Sequence, residues 1–226
     1  FKKSKMNRFM KSTSILNLFL LLVLCNATFA QTSVDDPEIK KMVSEVKSEN
    51  MEATVRKLVS FGTRHTLSDT KSNIRGIGAA QRWVKSEFDK YALSSNGRLT
   101  SKIDFFTIKA DGKRIATDSQ LGNVMATLKG TDATDDRVMI ISGHLDSRAS
   151  DVMDSKIDAP GANDDASGVA AMMELARIMS KREFPFTLIF VAVVGEEQGL
   201  YGAKHLADVA KEEKWNVIAM INNDMI

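Results

Sequence analysis

Three uninterrupted apolar runs in the second half of the chain constrain its fold more than any other feature. The runs are 137–142 (RVMIIS), 187–194 (TLIFVAVV) and 217–221 (VIAMI). Between them, apolar residues recur at helical spacing over 169–179 and 200–214. Continuous apolar strands that alternate with helices are typical of parallel strands buried on both faces. This half therefore predicts an α/β fold with helices on both faces of the sheet.

The first half adds helices and a change of character near residue 94. Apolar spacing predicts helices between 39 and 59 and over 77–91. Two strand-like segments follow at 103–108 and 123–128, separated by the turn-rich ADGK. Together the two halves predict one domain over 31–226, built on a mostly parallel, mixed central sheet.

Residues 1–30 differ from the rest of the chain. A basic start without acids precedes the apolar run 15–30, which ends in the small residues Thr28 and Ala30. This pattern predicts a secretory signal cleaved after Ala30, and so export to the periplasm or the medium. A membrane anchor is the alternative, but the run is short for a bilayer about 30 Å thick. After cleavage we expect no stable membrane association.

The leader also accounts for the basic balance of the chain. Removing its five basic residues changes the formal charge from +2 to −3, so the charge gives no reason to expect a nucleic-acid partner. Cys25 is the only cysteine, and it lies in the leader. Disulfides and thiol chemistry are therefore not expected in the mature protein.

Acidic and histidine side chains follow all three apolar runs. With two acids from the loop before the 169–179 helix, they are His144, Asp146, Asp164, Asp165, Glu196, Glu197 and Asp224. Open α/β sheets bind ligands at the carboxyl ends of their strands, so these residues are expected to converge. One imidazole with several carboxylates suits a divalent ion, usually zinc, with manganese and cobalt left open. Two ions would offset the mutual repulsion of so many acids.

The segment GEEQG (195–199) carries a geometric requirement. Successive side chains of a strand point to opposite faces, so Glu196 and Glu197 reach one site only if the chain already turns at Gly195. One glutamate would then bind metal while the other moves protons.

Four motifs together resemble the M28 family of co-catalytic dizinc aminopeptidases. They are GHLDS (143–147), PGANDDASG (160–168), GEEQGLYGA (195–203) and NNDM (222–225). The resemblance covers roughly residues 40 to 226. It implies the zinc-exopeptidase fold and an enzyme that uses two Zn²⁺ ions to hydrolyse peptides with a free amino terminus.

The resemblance also implies roles for individual residues. The metal ligands would be His144, Asp164, Glu197 and Asp224, with Asp164 bridging the two ions. Glu196 would be the general base for a zinc-activated water. Asp146 would orient the His144 imidazole.

One part of the family pattern has no counterpart in this sequence. The family's second zinc takes a further histidine from a later loop, and the last strands and helix of its fold follow as well. We therefore expect the chain to be truncated at its carboxyl end, to bind the second metal poorly and to show little activity by itself.

Several alternatives stay open on the sequence alone. The same fold supports a single-zinc glutaminyl cyclase, and a family relative can act as a non-catalytic binding domain. Asp165 is expected to cap the following helix more than to bind metal. Glu196 and Glu197 could instead be a solvated pair that opens a helix. The preferred amino-terminal residue and the oligomeric state are not fixed by the sequence.

Overall fold

The protein is described here by a computed structural model that covers residues 36–226. Its helices are α1 (Pro37–Ser44), α2 (Ser48–Val59), α3 (Gly76–Ala92), α4 (Ala166–Met179) and α5 (Tyr201–Glu212). Its strands are β1 (Leu99–Ile108), β2 (Ser119–Leu128), β3 (Arg137–His144), β4 (Thr187–Val193) and β5 (Asn216–Asn222). The predicted leader lies outside this range. Over the described range, none of the helices has the length and apolar character needed to cross a bilayer.

The five strands form one mixed sheet in the order β1-β2-β4-β3-β5. The three strands β3, β4 and β5 run parallel, while β2 pairs antiparallel with both β1 and β4. The parallel strands are joined through α4 and α5, as crossover connections require. The predicted α/β class with a mixed sheet is confirmed.

Both faces of the central strands are buried, as their continuous apolar sequence predicts. On β4, Leu188, Phe190 and Ala192 belong to the core shared with α3 and α4. The alternate residues Ile189, Val191 and Val193 pack on the opposite side with Leu206 of α5. This alternation explains why β4 shows no polar face.

The exposure of strand β5 differs from the expectation. Its apolar run was expected to be buried like the other two, but Val217, Ile218, Met220 and Ile221 are 40–49% exposed. Among the described strands, β5 is the last in the order of the sheet and pairs with β3 alone.

Candidate metal centre

His144 ends strand β3 and lies at the centre of the site. The residue is 3% exposed, and its Nδ1 lies 3.0 Å from the backbone oxygen of Asp146. That contact leaves Nε2 directed towards two carboxylates, 2.9 Å from Asp164 Oδ1 and 3.9 Å from Asp224 Oδ1. Of the four predicted ligands, Asp164 and Asp224 therefore approach the third, His144, at its Nε2 atom, as the two distances show.

Hydrogen bonds at the end of β5 hold Asp224 beside His144. The Ser142 hydroxyl on β3 donates to Asn222 Oδ1 at 2.7 Å. Both the backbone nitrogen and the side-chain nitrogen of Asn223 donate to the backbone oxygen of Ser142, at 2.9 and 3.0 Å. The two asparagines fix the register of β5 against β3, so Asp224 follows directly beside His144.

The Asp165 carboxylate accepts hydrogen bonds from three backbone nitrogens. Its Oδ1 caps α4 by accepting from Gly168 N at 2.9 Å and also accepts from Met225 N at 3.2 Å. Its Oδ2 accepts from His144 N at 2.9 Å. The expected helix cap is thus confirmed. Asp165 also has an oxygen close enough to His144 and Asp224 to share an ion with them. The Asp164 side chain is 49% exposed, and its Oδ1 lies 2.9 Å from His144 Nε2.

The Asp146 carboxylate joins the β3 loop to the β4 loop. It accepts from the Thr66 hydroxyl at 2.7 Å and from the backbone nitrogens of Glu196 and Glu197, each at 3.2 Å. Its Oδ1 lies 3.7 Å from His144 Nδ1, so the closer partner of the ring is the Asp146 carbonyl. Asp146 orients His144 mainly through its backbone, and its side chain holds the two glutamates.

The chain turns at Gly195, as the GEEQG segment requires. Strand β4 ends at Val193, and Gly195 has a φ of 74°, in the left-handed region that favours glycine. Burial, together with the charges of Asp164 and Asp146, raises the pKa of Glu197 to about 7. Burial also raises the pKa of Glu196, with smaller contributions from Asp146 and other acids of the site.

Electrostatics connect the remaining groups of the site. Burial by itself would lower the pKa of His144, but the carboxylates of Asp146, Asp165 and Glu196 raise it to about 10. A cluster with this excess of negative charge favours a bound cation, and without one it takes up protons.

The donor set fits zinc. Ligand atoms that share a tetrahedral zinc at about 2.0–2.2 Å lie roughly 3.3–3.6 Å from one another. From His144 Nε2, Asp164 Oδ1 at 2.9 Å lies closer than that separation and Asp224 Oδ1 at 3.9 Å lies farther. The ligand atoms that lie within 4.8 Å of one another belong to His144, Asp165 and Asp224. An imidazole nitrogen whose other nitrogen contacts a carbonyl is a usual zinc ligand. Glu197 shares the electrostatic environment of Asp164, and its Oε2 lies 3.7 Å from Arg148 Nε.

Sequence reasoning gave little weight to the segment 63–66. All four of its residues are buried, and they surround the loops of the site: Thr63, Arg64, His65 and Thr66. His65 Nε2 lies 2.9 Å from Val152 O and 3.1 Å from Gln198 Nε2. From the sequence, a structural role near the wall of the cleft is expected for Arg64 and His65, and their burial agrees with it. Their hydrogen-bond partners could not be predicted.

The chain is similar to known zinc peptidases. The family model described as Peptidase family M28 matches residues 123–226. A protein of Pyrenophora teres named "Probable zinc metalloprotease" is 48% identical over 191 residues, which are 84% of this chain and 39% of that protein. This chain therefore spans about two fifths of the length of that relative.

Two solved structures extend the comparison. The LapA aminopeptidase of Legionella pneumophila is 25% identical with a TM-score of 0.63, over 83% of this chain and 45% of its own. A glutaminyl cyclase of Fimbriiglobus ruber is 18% identical with a TM-score of 0.62, over 79% of this chain and 61% of its own. At that identity the cyclase shares the fold alone.

Proposed function

Since this chain belongs to peptidase family M28, we propose that it is the zinc-binding part of an aminopeptidase that removes amino-terminal residues from peptides. The observation that carries the proposal is the approach of Asp164 Oδ1 and Asp224 Oδ1 to His144 Nε2, at 2.9 and 3.9 Å. The names of the fungal metalloprotease and of LapA support hydrolysis of peptides.

The residues divide into two sets of metal ligands. His144 and Asp224 would hold the first zinc, Glu197 the second, and Asp164 would bridge them. When bound, zinc polarises a scissile carbonyl and lowers the pKa of a water molecule. The free amino terminus of the substrate would enter where Asp164 and Asp224 are exposed.

Glu196 would move the proton. Its backbone nitrogen donates to Asp146 Oδ1, which fixes the residue at the turn after β4. Burial and the neighbouring acids raise the pKa of Glu196, which brings it nearer to neutral pH, where a general base is most effective. The carboxylate would accept a proton from the attacking water and return it to the departing amine.

Export remains part of the proposal. It is supported by the basic start and apolar run of residues 1–30, which are typical of a cleaved secretory signal. The mature protein would then act in the periplasm or the medium.

Replacement of the base tests the proposal most sharply. In the full-length protein, Glu196→Gln should lower kcat by about 10²–10⁴-fold, while the zinc content measured by mass spectrometry stays unchanged. Glu212→Gln, on the exposed side of α5, is the matched control and should leave both quantities as they are.

The products separate the alternatives. Release of free amino acids from an unblocked peptide, but not from its acetylated form, supports the aminopeptidase. Ring closure of a peptide that starts with glutamine would identify a cyclase instead. Zinc binding without either product would indicate a binding domain, provided that Glu196→Gln binds the peptides as tightly as the wild type.

A further inference from the structure

Arg64 is a buried cation with an unusual set of partners. Its relative exposure is 0%, and its guanidinium donates to three backbone oxygens. Nε donates to Leu145 O at 2.8 Å, Nη1 to Pro160 O at 2.7 Å and Nη2 to Gly161 O at 2.9 Å. Burial lowers the pKa of Arg64 to about 10, so the group stays charged at neutral pH.

The three acceptors belong to the two loops that carry the candidate ligands. Leu145 lies between His144 and Asp146, while Pro160 and Gly161 open the loop that continues to Asp164. One planar guanidinium therefore spans the two loops whose ligand atoms lie 2.9 Å apart.

A second link runs parallel to the first. Arg64 N donates to the Ser147 hydroxyl at 3.1 Å, and that hydroxyl donates to Ala159 O at 2.7 Å. Gly161 permits this close packing, since a Cβ there would lie 2.6 Å from Ser147 Cβ and 3.0 Å from Arg64 Nη2. The two loops are therefore joined by a second set of hydrogen bonds.

The geometry of these contacts suits arginine and no other side chain. A guanidinium offers donors in a fixed plane, so three acceptors are held at fixed relative positions. A lysine ammonium carries the same charge on a flexible stem and cannot reproduce that arrangement.

We propose that Arg64 is a positioning residue that fixes the loop of His144 against the loop of Asp164 and thereby sets the affinity for zinc. The inference rests on the proposed metal centre. Loss of a partner that orients metal ligands typically costs about 10–100-fold in metal affinity, and that is the loss expected for Arg64→Lys.

The test compares three variants in the full chain. Arg64→Lys removes the planar fork, and Ser147→Ala removes the second link alone. Arg82→Lys is the matched control, because Arg82 also donates to backbone oxygens, those of Thr70 and Ser72, but at a loop outside the centre. Zn²⁺ affinity is measured by competition with a chelating dye, and the visible spectrum of bound Co²⁺ reports ligand geometry at saturation.

The expected result is a loss of about 10–100-fold in Zn²⁺ affinity for Arg64→Lys, a smaller loss for Ser147→Ala and none for Arg82→Lys. The saturated Co²⁺ spectrum should change for Arg64→Lys, whereas a merely destabilised fold would leave it unchanged. If circular dichroism shows that Arg64→Lys is unfolded, Ser147→Ala tests the link through Arg64 N instead, and wild-type affinity with an unchanged Co²⁺ spectrum in that variant would refute the positioning role.

Two results would overturn the inference in different ways. Wild-type affinity and an unchanged Co²⁺ spectrum in the folded Arg64→Lys and Ser147→Ala variants would refute the positioning role and leave the metal centre intact. If the wild type binds Zn²⁺ no better than His144→Ala, the metal centre itself is refuted, and the positioning role with it.

Discussion

Replacing Asp165 with alanine should be unusually costly, because its buried carboxylate serves three separate segments. It accepts from Gly168 N in α4, from His144 N at the end of β3 and from Met225 N after β5. The residue is 0% exposed, so water cannot replace the lost acceptor without rearrangement of the site. Asp165→Ala therefore removes a helix cap and leaves buried donors unsatisfied.

The magnitude follows from those contacts. Loss of a helix cap costs about 1 kcal/mol, and a buried donor left without a partner costs about 1–3 kcal/mol. We expect Asp165→Ala to lower the free energy of unfolding by about 2–4 kcal/mol. Asp165→Asn keeps one oxygen for the cap but places an amide against His144 N, so its loss should be intermediate.

Urea denaturation with EDTA present, followed by circular dichroism, measures this loss without any contribution from bound metal. Asp111→Ala is the matched control, since Asp111 Oδ1 also accepts from three backbone nitrogens, each at 2.8 Å, in an exposed turn. Water can take over there, so its loss should be clearly smaller. If Asp165→Ala unfolds within about 0.5 kcal/mol of the wild type, the range of ordinary surface substitutions, the structural role of Asp165 is refuted.

Three further predictions concern buried polar contacts and close packing in the fold. Although burial opposes it, hydrogen bonds led by that from Arg177 lower the pKa of Glu174. Glu174→Gln should therefore lower the free energy of unfolding by about 1.5–3 kcal/mol at pH 7. In urea titrations, the difference between wild type and variant should shrink as the pH falls through the folded-state pKa of Glu174, below 4.5. A difference that does not change with pH would contradict this. A Cβ on Gly143 would lie 2.7 Å from Val169 N. Gly143→Ala should therefore lower the free energy of unfolding by about 1–3 kcal/mol and lower Tm with it, and an unchanged Tm would contradict this packing. Asn123 bridges Gly202 O and Val194 N, so Asn123→Ala should cost about 2–4 kcal/mol in the same assay, whereas Asn123→Asp should restore only the bond from Val194 N.

The parts of the fold that follow from local pattern could be predicted from the sequence. The apolar runs gave β3 and β4, and the amphipathic spacing gave α3 and α4 close to their observed ends. The turn at Gly195 was predictable because only a turn directs two successive glutamates to one site.

The remaining features depend on neighbours that the sequence does not identify. Strand β5 has the apolar sequence of a buried strand, yet four of its apolar residues are 40–49% exposed among the described residues. The partners of Arg64 are carbonyl oxygens of residues 81 to 97 positions away, and a backbone oxygen carries no sequence signal. The closer partner of the His144 ring likewise proved to be the Asp146 carbonyl, which any residue at that position would supply.

Diffraction at the zinc absorption edge from zinc-loaded crystals would locate the bound ion. We expect an anomalous peak about 2.0–2.2 Å from His144 Nε2 and from carboxylate oxygens of Asp164 and Asp224. A peak that contacts Asp165 in place of Asp164, or no peak beside His144, would contradict this expectation.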